Sequence, residues 1–137
     1  MEVSNHLIPN KDQMDGFLEG DIDTPIAMVN LLKFKEKAKY EDGRDTELSG
    51  EEAYAIYAME VQEHLQKVGG EIIFGGHVNR LMLGEVEDLW DSVAIVRYPS
   101  RKAMLEMIMD PAYQKSEMHR SAGLFGQLNI ETKEGTS

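Results

Sequence analysis

The chain has 137 residues, 42% of them hydrophobic, which is enough for one core and too little for two ordinary domains. Its 25 acidic residues against 14 basic ones leave a formal net charge of -11, which repels phosphate backbones and anionic headgroups and argues against nucleic acid or membrane partners. There is no cysteine, so disulfides, thiolate nucleophiles and cysteine-held zinc or iron–sulfur centres are excluded.

In chain order, residues 10–18 place Met14, Phe17 and Leu18 at helical spacing ahead of Gly20, predicting a short packing helix outside the main core. After Pro25, residues 26–34 (IAMVNLLKF) form an apolar run of strand length that only Asn30 interrupts before Lys33. Residues 35–50 are charged and contain Gly43 and Gly50, and they read as an exposed connection. Their acidic cluster, Glu41, Asp42, Asp45 and Glu47, lacks the alternating oxygen ligands and placed glycine of a calcium loop. Ser49 and Glu52 then form an S-x-x-E capping box for a helix over 51–68, with Ala53, Ile56, Tyr57, Val61, Leu65 and Val68 as its apolar stripe. Gly69-Gly70 ends it.

Residues 71–84 are long for a strand, with a Gly75-Gly76 pair that marks a bulge or bend and a second half expected to extend beyond the sheet, and residues 86–89 turn the chain back. The unbroken apolar run from Val93 to Val96 reads as a strand covered on both faces. Pro99 stops that strand, and Ser100 is placed to cap a helix carrying Met104, Leu105 and Ile108. Asp110-Pro111 restarts the chain as N-cap and first residue of a further helix to about 121. Gly123 releases it into a last strand, in which Leu124, Leu128 and Ile130 share a phase broken at Gly126.

This order is βαβ twice, and right-handed crossovers turn it into an α+β fold: a ferredoxin-like split βαβ, one four-stranded antiparallel sheet with its helices on one face. Residues 1–24 are expected to form a packing segment, 25–132 the domain and 133–137 a tail. Both phases of the strands at 26–34 and 93–96 are largely apolar, so the face without helices needs a cover, and a second copy is the economical one. The apolar runs fall short of the roughly 20 residues that span a bilayer, and residues 1–10 have neither a basic flank nor an apolar signal core. A soluble cytoplasmic protein is the expectation.

The motifs are also similar to a known family. Asn30-Leu31-Leu32-Lys33-Phe34, Gly69-Gly70, Trp90-Asp91, Tyr98-Pro99-Ser100, Asp110-Pro111-Ala112-Tyr113 and His119-Arg120 occur in the order that resembles the DUF1330 family of the dimeric α/β-barrel superfamily, over roughly residues 25–132. The resemblance implies a ferredoxin-like protomer and a barrel-forming homodimer. It implies no particular reaction, because the wider superfamily holds cofactor-less oxygenases, isomerases, haem enzymes and plain binding proteins.

His77, after the glycine pair, and His119, in the motif that resembles the family's His-Arg pair, are the candidate acid–base groups, since imidazole exchanges protons near neutral pH. A surface or structural role explains each as well. Asn30 and Arg97 interrupt apolar strands and must meet either a ligand or a partner such as Asp91 or a backbone carbonyl. Tyr57 on the helix stripe and Arg120 at the cavity mouth complete the candidate substrate-binding set. No spacing of ligands fits a metal, and no loop fits a phosphate or dinucleotide, so no cofactor is expected. Three functions remain open: cofactor-less acid–base or oxygen chemistry on a small carbonyl or aromatic compound, a non-catalytic ligand sensor or carrier, and a purely structural dimer.

Overall fold

Side chains placed to accept free backbone amides set the helix starts. In a computed structural model that describes residues 3–134, Asn10 opens α1 (Lys11–Leu18) in a reciprocal capping box with Gln13, and Ser49 opens α2 (Gly50–Lys67) in another with Glu52. The Ser100 hydroxyl accepts from Ala103 N at the head of α3 (Arg101–Met109). Asp110 closes α3 and caps α4 (Pro111–Gly123), whose first residue is a proline that has no amide to satisfy.

The strands are β1 (Ile26–Phe34), β2 (Glu71–His77), β3 (Ser92–Tyr98) and β4 (Leu124–Thr132), ordered β2-β3-β1-β4 and antiparallel throughout. This is the ferredoxin-like sheet expected from the repeated βαβ pattern. The register lays residues out in rows that cross all four strands. On the face toward the helices the rows are Ile72, Val96, Met28 and Glu131; Gly75, Ala94, Asn30 and Asn129; and His77, Ser92, Leu32 and Gln127. Ile26, Met28 and Tyr98 pack there against Val61, Leu65, Met107 and Tyr113. On the opposite face, Phe74, Ile95, Val29 and Ile130 make one apolar row, and Val93, Leu31 and Leu128 most of the next. Phe74 keeps 53% of its surface exposed and Ile130 44%, so among the described residues no helix covers that side.

The helices meet at two glycines. A Cβ on Gly50 would fall 2.1 Å from the Lys35 carbonyl oxygen, and one on Gly123 would fall 2.3 Å from that of Gly50. The start of α2 and the end of α4 therefore touch backbone to backbone, and only glycine allows it.

Two expectations change. Residues 35–50 are not simply an exposed connection: Ala38 and Tyr40 are buried against Ala53 and Ala122, and Lys39 N donates to Ala122 O. Small side chains that carry little hydrophobic signal make this second core. The bulge in β2 lies at Ile73, between Ile72 paired with Val96 and Phe74 paired with Ile95, whereas Gly75 and Gly76 stay in register. Gly76 instead leaves room for the Phe74 ring, whose edge would lie 3.1 Å from an added Cβ. As expected, the second half of the 71–84 run leaves the sheet: β2 ends at His77, where Val78 N bonds to Asp91 O, and Met82 and Leu83 beyond it are exposed. Of the expected tail, 135–137 fall outside the described residues, as do residues 1 and 2 of the N-terminal segment.

Candidate functional site

The inner face of the sheet and the helices do not close on each other. Between them lies a cavity of about 1200 Å³, larger than most organic ligand sites and in a position such sites often occupy. Met28, Val96, Val61, Leu65, Met104 and Met107 supply much of its apolar lining. From the N-terminal segment, Leu7, Ile8, Met14 and Phe17 line it as well. Arg101 secures that segment by donating to the carbonyls of Phe17 and Glu19, at 3.2 and 2.7 Å.

Its polar floor satisfies itself. Asn30, 8% exposed in the middle of β1, accepts on Oδ1 from Gln127 Nε2 at 2.7 Å and Asn129 Nδ2 at 2.5 Å. Its own amide donates to Ala94 O at 3.1 Å. Arg120 on α4 donates from Nη2 to Gln127 Oε1 and to Leu7 O, each at 2.7 Å, and from Nη1 to Glu117 at 2.8 Å. Its charge is thus already met by a carboxylate. Glu131 is likewise held by Arg101 at 2.6 and 2.8 Å.

One part of the lining is aromatic and hydroxyl-bearing. Tyr54 and Tyr57 sit one turn apart on α2, Tyr113 begins α4, and Tyr98 ends the inner row of β3. The rings run on from one another, with centroids 5.4 Å apart for Tyr54 and Tyr57 and 6.1 Å for Tyr57 and Tyr113. The Tyr57 and Tyr113 hydroxyls bond at 3.0 Å. The hydroxyls of Tyr54 and Tyr98 have no hydrogen-bond partner among the described residues. Burial pushes the Tyr54 phenol up to about 12 and raises those of Tyr57, Tyr98 and Tyr113, with the neighbouring Tyr113 adding to the rise at Tyr57. All four phenols sense the positive charge of Arg120, which acts against that rise. The four therefore converge on one region, and at neutral pH they are protonated donors.

Asn30, Tyr57 and Arg120 are brought together around this cavity. His77 stands at its rim on the edge strand, with its side chain 77% exposed and Nδ1 3.6 Å from Glu51. His119 faces the other side of α4, where Nδ1 shares a 2.6 Å hydrogen bond with the Tyr40 hydroxyl and the ring meets Tyr40 edge-on. Arg97 lies on the outer face of the sheet, paired with Glu71 at 2.8 Å and with Glu134. Asp91, a partner considered for it, instead accepts from Phe34 N at 2.8 Å and faces Lys33 at 3.5 Å. Sequence reasoning did not single out Tyr54, Tyr98 or Tyr113 as lining. The signal was present for the first, three residues before Tyr57 on the capped helix, and for Tyr98, in phase with Ala94 and Val96.

Comparison with known proteins follows the same lines. The model of a domain of unknown function, DUF1330, matches residues 44–130. The crystal structure of RPA0582, described as a protein of unknown function from Rhodopseudomonas palustris, is similar at 31% identity, with a TM-score of 0.86 over 98% of this chain and 100% of that one. Methylated RPA0582 gives 34% identity and a TM-score of 0.87 over 98% of each chain. The solution structure of a hypothetical Arabidopsis thaliana protein, at 19% identity and a TM-score of 0.51 over 86% of this chain and 95% of that one, shares the fold. No curated protein matches. No described helix is long and apolar enough to cross a membrane. With its family model matched across most of the α/β domain, the chain belongs to the DUF1330 family.

Proposed function

We propose that the protein is a small-molecule-binding homodimer, each chain enclosing one largely apolar organic molecule between sheet and helices, as a carrier or sensor does. The observation that carries this reading is the cavity of about 1200 Å³, with room for a ligand of several fused rings or a long chain, of which a two-ring compound fills only a part. Its polar floor is internally hydrogen-bonded, so an apolar body can lie on it without stranding a buried donor or acceptor.

Acid–base or oxygen chemistry on a small carbonyl or aromatic compound requires an imidazole beside the enclosed ligand. His77 at the rim and His119 against Tyr40 favour binding over turnover. The homodimer is supported by the apolar rows of the outer face, which a second copy would remove from water. A cytoplasmic setting fits the absence of cysteine and the acidic surface. The test is a titration with 2-ethylnaphthalene, an uncharged two-ring probe. Saturable binding of one probe per chain, with a raised melting temperature, is expected; no saturable binding contradicts the reading.

A further inference from the structure

We infer that the tyrosine-lined part of the cavity is a subsite for one neutral oxygen acceptor, so that the ligand class is an apolar ring compound bearing a ketone or quinone carbonyl rather than a carboxylate. The inference rests on the binding reading above and specifies the head group.

The argument begins with hydrogen-bond accounting. The Tyr98 hydroxyl belongs to a residue only 6% exposed, lines the cavity and has no partner among the described residues; Tyr54 is in the same position, though less enclosed. Of the pair Tyr57 and Tyr113, one hydroxyl donates to the other, which leaves one proton of that pair undirected. Three O–H donors from α2, β3 and α4 thus reach one region with no acceptor supplied by the chain. These hydroxyls open on the cavity, so an apolar body that displaces solvent from them would strand each donor. An oxygen brought by the ligand answers them instead.

Charge decides which oxygen. Arg120 is the one guanidinium lining the cavity among the described residues, and its terminal nitrogens already serve Glu117, Gln127 and Leu7. Glu131 is neutralised by Arg101. Among the described lining residues there is no lysine and no second arginine to balance a ligand carboxylate beside the tyrosines, and His77 stands at the rim with its side chain 77% exposed. The phenols point the same way: burial disfavours their anions even within the field of Arg120. A carbonyl oxygen carries only partial charge, accepts two hydrogen bonds and meets donors on more than one side.

Three probes sharing one ring system test this: 2-acetonaphthone, 2-ethylnaphthalene, which replaces the carbonyl by a methylene of similar shape, and 2-naphthoate. Titrated against the wild-type protein, the ketone is expected to bind about tenfold or more tightly than its ethyl counterpart, as one or two added hydrogen bonds imply. The carboxylate is expected to be the weakest of the three. In Tyr54→Phe/Tyr98→Phe, where only the free proton of the Tyr57–Tyr113 pair remains, the ketone's advantage over 2-ethylnaphthalene, both measured on the same variant, should shrink severalfold. Equal wild-type affinity for ketone and ethyl compound, or preference for 2-naphthoate, overturns the subsite and leaves the cavity reading standing. Failure of all three probes to bind overturns both. The wild-type comparison decides the matter even if the double variant does not fold.

Discussion

At the scale of single residues, the phenols of the cavity make the clearest physical commitment. All five tyrosines of the chain are raised above the ordinary phenol value, Tyr54 to about 12, chiefly because burial disfavours the anion. Below pH ~10 the groups are protonated in both folded and unfolded chains, and their contribution to stability is fully present. As the pH rises past 10 the unfolded chain loses these protons first, so stability should fall steadily toward the folded values. A urea-unfolding series from pH 8 to 11.5 is expected to be flat and then decline above about 10, with a shallower decline in Tyr54→Phe; a decline that Tyr54→Phe leaves unchanged would contradict the burial of that phenol. Of the cavity tyrosines, Tyr57 was legible from its place on the apolar stripe of a capped helix. Tyr98 was hidden because ending a strand was explanation enough. Asn30 was legible for the opposite reason: an amide in an apolar strand has to be answered, and Gln127, Asn129 and the Ala94 carbonyl answer it. Arg97 raised the same question and found its answers, Glu71 and Glu134, on the outer face of the sheet.

Among the elements, those announced by local chemistry were read most accurately. The capping box of Ser49 and Glu52, the proline-started helix at Asp110-Pro111 and the strand stop at Pro99 all act within a few residues, so one stretch of sequence contains the whole cause. Where the cause lies elsewhere in the chain, the sequence was silent. The burial of Ala38 and Tyr40 depends on Ala53 and Ala122, and the bulge at Ile73 depends on the register with β3. The glycine contact between α2 and α4 belongs to this second kind and gives a sharp prediction. Ser49→Ala removes one cap hydrogen bond and should cost about 1 kcal/mol. Gly50→Ala, although alanine favours helix, forces a Cβ to within 2.1 Å of the Lys35 carbonyl oxygen and should cost clearly more, or prevent folding. Denaturant midpoints of the two variants check the order. A Gly50→Ala protein as stable as the wild type would mean that the helices do not meet backbone to backbone.

For the molecule as a whole, the proposed function divides two tasks between the faces of the sheet, a ligand on the inner one and a second copy on the outer one. Pairing copies through the rows around Val29 and Ile95 predicts sedimentation at twice the mass of one chain, and at the mass of one chain for Ile95→Asp, whose carboxylate would be buried unpaired in the interface. A wild-type protein that sediments as a single folded chain at micromolar concentration would leave the outer face without its proposed cover. The most direct measurement concerns the inner face. Ala58 lines the cavity from α2, and Ala58→Trp places an indole in the space assigned to the ligand. Titration with 2-ethylnaphthalene should give saturable binding of one probe per chain in the wild-type protein and clearly weaker binding in a folded Ala58→Trp variant; undiminished binding in that variant, or no binding to the wild type, would contradict the account.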